Sequence, residues 1–443
     1  MRYFPHTPEE VAVMLAEVGA ATLDDLFAPV PEDCRVRGLL ALPEPLDEWE
    51  LTRHLEDLAR TLEGPPRHRV FLGAGSYDHF VPAAVPAIAG RSEFVTSYTP
   101  YQPEASQGTL QAIYEYQTLV SRLLGLDLSN ASLYDGASAL AEGLLLALRV
   151  TRRHRVAVSR AIHPAYRRVL GTYLAPTDFE VLELPVGEDG RTDLSSLEGA
   201  KGLAGVAVQS PNFFGCIEDL GAAAAAARSA DALLVSCFAE ALAYGLLRSP
   251  GSLGADLACG EGQSLGLAPS FGGPGLGIFA ARREFVRHLP GRLVGRARDR
   301  EGREGFVLTL ATREQHIRRE RATSNVCTNQ SLCALTAAVY LACLGPQGLR
   351  ALARLNYDKA EYLKARLRAA GIAPRFSAPT FHEFAVCWPG TAAGRWEDLR
   401  ERGFVAGLPL GNHYPEYEGS TLLCVTETKT REDLDALAEA MST

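Results

Sequence analysis

From about residue 67 onward, apolar residues fall into short runs separated by amphipathic stretches. The runs at 156–159, 179–184, 203–208, 233–236, 255–258 and 276–280 read as short buried strands, and Val70–Leu72 as another before Gly73-Ala74-Gly75-Ser76. Thr109 to Leu124 carries apolar residues at 110, 113, 120, 123 and 124, the spacing of an amphipathic helix, and Ser138 to Val150 is a second, mostly apolar helix. Further helices are expected at 163–173, 218–230 and 282–288. Short apolar strands alternating with helices predict an α/β domain whose mostly parallel sheet is covered on both faces, over residues 67–300.

The flanks differ. Residues 1–66 form a helical arm. Thr7-Pro8-Glu9-Glu10 is a capping box with proline at the first helical position, opening a helix from Pro8 to about Val18. A short helix near Thr22–Phe27, a connector punctuated by Pro29, Pro31, Pro43 and Pro45, and a helix from Leu46 to Leu62 complete it, ended by Gly64-Pro65-Pro66. Beyond the sheet, the arginine-rich polar segment 290–323 reads as a lead out of the large domain. Residues 301–443 then comprise linker helices at 329–343 and 346–370 and a small α+β domain. Its strands are near 383–388 and 421–426, Trp396–Arg402 is helical, and Thr430 with Asp433 caps the last helix.

Composition narrows the function. The 443 residues carry 44 basic and 53 acidic side chains, a net charge of −9 that argues against a nucleic-acid surface. No run of about 20 apolar residues lacks charges, so no membrane span is expected. Met1 to Glu10 has no apolar run of the kind that targets a chain for export. The nine cysteines are odd in number and form no C-x-x-C pair, which fits reduced core residues of a cytoplasmic protein. No H-E-x-x-H or clustered Cys/His set suggests a metal. Lysine occurs at only four positions: 201, 359, 364 and 429. Any chemistry that needs an amine therefore has few candidates.

Several polar segments stand where an α/β sheet binds ligands. Asp135-Gly136-Ala137-Ser138-Ala139 turns into a helix and exposes backbone N–H groups, a geometry that suits a phosphate and equally an ordinary cap. His163-Pro164 follows the strand ending at Ser159, where the imidazole is placed to stack on a ring, act as a base or cap a helix. Ser97-Tyr98-Thr99-Pro100-Tyr101-Gln102-Pro103-Glu104 is a stiff polar-aromatic loop able to orient an amine-bearing substrate or to meet another subunit. Gly260-Glu261-Gly262-Gln263-Ser264 and Phe271-Gly272-Gly273-Pro274-Gly275 are glycine loops without a Walker pattern. Cys327, in Thr323-Ser324-Asn325-Val326-Cys327-Thr328, has no visible histidine partner to make it a nucleophile, and Gly411-Asn412-His413 offers an exposed histidine.

Taken in order, these segments resemble the glycine cleavage system P-protein (glycine decarboxylase), as subunit 1 of its two-polypeptide form. The likeness runs from Tyr3-Phe4-Pro5-His6-Thr7 through the Tyr98 loop, Leu133–Ala139, Val158–Pro164 and Gly260–Gly266 to Ala322–Thr328. It implies a fold-type I pyridoxal-phosphate (PLP) transferase architecture, with a seven-stranded, mostly parallel sheet and a smaller C-terminal α+β domain. It also implies removal of CO2 from glycine and transfer of the aminomethyl group to the lipoyl arm of H-protein.

That chemistry requires a lysine to hold the cofactor. The matching position here is Gln263, whose amide cannot form the imine, and no lysine occurs from 202 to 358. Nor does an aspartate stand in Cys237-Phe238-Ala239-Glu240, where one would face the pyridine nitrogen; Asp231 precedes that strand. The expected site is thus degenerate, made of Gly136, Ala137, Ser138, His163 and Gln263, and binds no cofactor. The resemblance implies a PLP-bearing subunit 2 as partner in a two-plus-two heterotetramer. Tyr98, Tyr101, Gln102, Glu104 and Asn325 are the candidates for residues donated to its pocket. The alternative is a structural or H-protein-docking scaffold with no residue in that pocket.

Overall fold

The structure, a computed structural model, describes residues 5–36, 38–65, 67–95, 98–388 and 394–442. Tyr3, Phe4 and Ser97 of the motifs above lie outside them. The chain divides into two compact units, 1–62 and 63–443.

In the first unit, α1 (Pro8–Glu17) starts at the expected capping box: Thr7 accepts from the Glu10 N–H, and the Glu10 carboxylate accepts from the Thr7 N–H at 2.8 Å. Asp47 and Glu50 cap α2 (Glu48–Ala59) in the same reciprocal way. Neither helix buries a residue. Each is set by its cap and polar spacing rather than by a core.

The second unit is built on a seven-stranded sheet. Its strands are β1 (Leu128–Ser129), β2 (Arg155–Ser159), β3 (Glu180–Leu184), β4 (Leu203–Gln209), β5 (Leu233–Phe238), β6 (Leu257–Glu261) and β7 (Gly277–Ala281). Their spatial order is β1-β7-β6-β5-β4-β2-β3. Strand β7 runs antiparallel to both neighbours, and every other pair is parallel. The helices of this unit include α3 (Gln107–Leu124), α4 (Gly136–Thr151), α5 (Pro164–Leu174), α6 (Leu220–Ser229), α7 (Ser331–Ala369) and α8 (Arg431–Ser442).

Strand alternation sends side chains to both faces. Leu257, Cys259, Phe279 and Ala281 pack with Leu140, Leu144 and Ala147 of α4. Ala258, Ile278 and Ala280 pack with Tyr116 and Val120 of α3 and with Ala334, Ala337 and Leu341 of α7. Each fully buried Leu, Val or Phe contributes about 1.5–3 kcal/mol, so two covered faces account for the continuous apolar character of the strands. Gly143 lets α4 approach: a Cβ there would stand 3.2 Å from Val235 Cγ1.

Three features depart from the sequence reading. First, the two-residue β1 went unread because it is too short to show a period. Second, segment 290–323 is no simple lead-out, since Leu293–Arg298 and Glu304–Thr309 form an antiparallel hairpin. Its exposed Arg296 and Arg298 alternate with half-buried Gly295 and Ala297, a strand pattern hidden by the arginine content. Third, the first short strand, Arg69–Val70, pairs in parallel with Phe404–Val405 rather than with the large sheet. Phe71 joins it there, in one core with Phe384, Phe404, Leu423 and Val425.

The smaller C-terminal α+β domain has Glu383–Cys387, Ser420–Cys424 and Leu408–Pro409 as an antiparallel sheet. Thr430 and Asp433 cap α8 reciprocally, at 2.9 and 3.2 Å. The two expected linker helices meet at Gly345, whose φ of 59° and ψ of 178° break α7 before Pro346. By length and composition α7 passes for a membrane span, but 44% of its most apolar window is buried inside the protein.

Candidate functional site

Loops at the carboxyl ends of β2, β4, β5 and β6 converge with the start of α4. Glu261, the last residue of β6, turns its carboxylate onto the N-terminus of that helix. It accepts from the backbone N–H of Gly136 at 3.0 Å, Leu276 at 2.7 Å, Gln263 at 3.0 Å and Gly262 at 3.1 Å. This is the position that a phosphate takes at such a helix end. Burial raises the pKa of Glu261 above the ordinary carboxylate value, and the N–H groups of Leu276 and Gly136 pull against the rise. Ser138 completes an internal cap with Asp135, its N–H donating to Asp135 Oδ1 at 2.7 Å.

Gln263 is buried beside this cradle and grips the backbone of one residue, Tyr77, by both its N–H and its carbonyl. Its Oε1 accepts from the Tyr77 N–H at 2.9 Å, and its Nε2 donates to the Tyr77 carbonyl at 3.1 Å and to the Leu267 carbonyl. An amide has both a donor and an acceptor for such a clamp; an ammonium has donors only.

His163 caps α5. Its Nδ1 accepts from the Ala165 N–H at 3.1 Å, so the proton is on Nε2, which donates to the Ala74 carbonyl at 2.8 Å. Burial lowers its pKa, in keeping with that neutral form. Asp231 precedes β5, is exposed and pairs with Arg153.

The residues present do not fit a bound PLP. Gln263 offers an amide, bonded to two carbonyls and an N–H, in place of a free amine, and the N–H groups at the start of α4 already hold the Glu261 carboxylate. A Cβ added at Gly136 would lie 2.7 Å from the Glu261 nitrogen and would collide with the Tyr166 hydroxyl, so the cradle is also full.

Next to this region is a polar centre absent from the sequence reading. His79 Nε2 faces Glu240 at 3.0 Å and its Nδ1 faces Glu427 at 2.8 Å; His382 Nε2 is 3.3 Å from the same Glu240. Tyr77 donates to Glu383 at 2.7 Å alongside. His79, Glu240 and His382 are each under 10% exposed. Burial opposes charge on His79, but Glu240 and then Glu427 overcome it and lift its pKa to about 10. Burial likewise pushes Glu240 up, and His79 and His382 outweigh it and hold the group well below the carboxylate range. Burial raises Glu383. Ligand-type atoms of His79, Glu240 and His382 lie within 4.8 Å of one another, yet both ring nitrogens of His79 already face carboxylates, which is the geometry of a buried ion pair. The one local signal is His382-Glu383 at the entry to the apolar strand Glu383–Cys387; positions 79, 240, 382 and 427 converge only through the fold.

The other candidates lie at the surface. Tyr98 is 81% exposed and its hydroxyl is 3.3 Å from Thr328 Oγ1, which joins the Tyr98–Glu104 loop to the segment after Asn325. Tyr101, Gln102, Glu104 and Asn325 are all exposed. A groove of about 460 Å³ runs beside them, lined by Phe94, Val95, Tyr98, Pro100, Thr328 and Leu332 among others. Cys327 is exposed, and its N–H donates to the Tyr134 hydroxyl at 3.0 Å. His413 is exposed and stands edge-on to Phe213, with ring centroids 5.9 Å apart.

A mostly parallel seven-stranded sheet with β7 reversed, and ligand-type loops at its carboxyl edge, define a fold-type I PLP-transferase-like chain. Residues 1–441 match the glycine cleavage system P-protein family, and the chain belongs to it.

Among its relatives is a probable glycine dehydrogenase (decarboxylating) subunit 1 of Desulfotalea psychrophila. It is 56% identical over 442 residues, covering all of this chain and 98% of that protein. The corresponding protein of Moorella thermoacetica is 50% identical over 448 residues, covering 100% and 99%. A crystal structure of glycine decarboxylase (P-protein) of the glycine cleavage system, in inhibitor-bound form, superposes with a TM-score of 0.88 at 48% identity, covering 100% and 99%. A sphingosine-1-phosphate lyase of Burkholderia pseudomallei shares the fold, with a TM-score of 0.65 at 17% identity over 93% of each chain.

Proposed function

We propose that this chain is the cofactor-free subunit 1 of a two-subunit glycine decarboxylase, active only with a PLP-bearing subunit 2. In that assembly glycine loses CO2 and its aminomethyl group passes to the lipoyl arm of H-protein. The observation that carries the reading is the closed cradle, in which Glu261 takes the anion position and Gln263 stands where the cofactor-holding lysine would be. The fold is that of a catalytic subunit, but its chemistry must be supplied from elsewhere.

What this chain contributes is positioning. The exposed Tyr98, Tyr101, Gln102, Glu104 and Asn325 lie on loops held against one another and face outward, which suits groups donated across an interface between large domains. Their hydroxyl, amide and carboxylate groups can orient an amine-bearing substrate and hold its protons. A two-plus-two assembly in the cytoplasm is part of the same reading.

The test is reconstitution. The purified chain alone should show no glycine-dependent CO2 exchange, and activity should appear on adding subunit 2 and lipoylated H-protein. Borohydride reduction with PLP should fix no pyridoxal to this polypeptide. Turnover by the chain alone would refute the division of labour. Unchanged turnover of Tyr101→Ala and Glu104→Ala at saturating H-protein would leave a docking scaffold as its role.

A further inference from the structure

Arg292 stands at the entry to the hairpin of Leu293–Arg298 and Glu304–Thr309, and it carries a buried charge, with 5% of the residue exposed. Among the described residues no carboxylate pairs with it. Its Nη1 donates to Asn329 Oδ1 at 3.0 Å and its Nη2 to the Tyr101 hydroxyl oxygen at 3.1 Å, with the guanidinium 5.4 Å from the centre of the Tyr101 ring. Among the same residues nothing accepts from its Nε. Burying a guanidinium against neutral acceptors is costly, so a buried arginine ordinarily finds an anion. Here the cost is met to hold one exposed tyrosine.

The holder is itself rigid. The Ala131 N–H donates to the Arg292 carbonyl at 2.8 Å. Asn329 Nδ2 donates to the Ala131 carbonyl at 3.0 Å and to Ser132 Oγ at 3.2 Å, which turns Asn329 Oδ1 toward the guanidinium. A phenol has one proton and two lone pairs. With Arg292 donating to the oxygen of Tyr101, the phenolic proton must point away from the guanidinium.

We propose that Arg292 is a positioning residue of the assembled enzyme: it fixes the Tyr101 hydroxyl as a hydrogen-bond donor toward the pocket shared with the partner subunit, and locks the Tyr98–Glu104 loop to the segment that follows Asn325. This rests on the reading that the Tyr98–Glu104 loop enters that pocket. The charge of Arg292 strengthens the outward O–H as a donor, and its fork geometry serves Asn329 and Tyr101 at once, which a lysine ammonium cannot match.

The experiment is a double-mutant cycle on kcat and KM of the reconstituted complex, with assembly checked by size exclusion. Tyr101→Phe and Arg292→Met should each lower kcat about tenfold, the worth of one charge-assisted hydrogen bond, with KM for glycine changing less. The double variant should be no slower than the worse single by more than about twofold, because both remove one device. Arg292→Lys should restore part of the loss. If Arg292→Met fails to assemble, the cycle is run with Arg292→Lys, whose smaller loss must likewise vanish in the Tyr101→Phe background.

Losses that multiply in the double variant would overturn the proposal. So would wild-type turnover of Tyr101→Phe alongside slow Tyr98→Phe or Glu104→Gln, with the shared pocket left standing. Wild-type turnover of all three loop variants would instead overturn the shared pocket itself, and the role of Arg292 with it.

Discussion

Glu261 offers the sharpest test of how a cofactor site closes. Replacing it with alanine strips the acceptor from three backbone N–H groups, those of Gly136, Gln263 and Leu276, while the Gly262 N–H keeps the Leu276 carbonyl at 2.8 Å. Each donor left without a partner in a buried site costs about 1–3 kcal/mol. Loss of a negative group at a helix N-terminus adds about 0.3–2 kcal/mol. With water reaching some of the vacated space, Glu261→Ala should cost about 4 kcal/mol, a large share of the roughly 5–15 kcal/mol that holds a native fold together.

Glu261→Gln should cost less, about 1–3 kcal/mol. Its amide oxygen can keep the three donors on Oε1, while its NH2 is turned toward Gly136. The assay is urea unfolding followed by circular dichroism, with and without inorganic phosphate. In Glu261→Ala the freed donors form an anion site at a helix terminus, so phosphate should raise its midpoint and leave the wild type unmoved. A Glu261→Ala midpoint within about 1 kcal/mol of wild type would refute the argument from orphaned donors. Equal stabilisation of both proteins by phosphate would refute the closed cradle.

Three further outcomes follow from the same geometry. The folded pKa of His79 is raised from 6.5 to about 10. Its pairing with Glu240 and Glu427 therefore stabilises fully below pH 6.5 and is lost as pH climbs through about 10, and a pH series of thermal melts should show that alkaline decline shrink in His79→Gln. Glu240→Gln, which leaves a buried histidine with half its counter-charge, should cost about 3–5 kcal/mol by denaturant unfolding. Gln263→Lys should not convert the chain into a cofactor carrier: after borohydride reduction with PLP, peptide mapping should find no pyridoxal at position 263, because Glu261 still fills the cradle. A label there would show that the amide alone keeps the site closed.

Much of this protein could be read without its fold. The strands β2 and β4 to β7 are apolar over lengths that only a doubly covered sheet accepts, and Thr7–Glu10 and Thr430–Asp433 are caps set by residues three apart. Gln263 carries its meaning as a residue type, since no environment makes an amide form an imine. These signals are local, and local chemistry survives in one dimension. What the tertiary structure decided is where distant residues meet. Glu261 read as part of a glycine loop until the fold set it on the first turn of α4, 125 residues away in sequence. His79, Glu240, His382 and Glu427 carry no mutual spacing to betray their ion pair, and Arg292 looked like one arginine among many until the hairpin buried it under Tyr101. Electrostatic and hydrogen-bonding partners act over a few ångströms of space, whatever the length of chain between them, so only the fold could show which polar groups are paired and which are left to act outward.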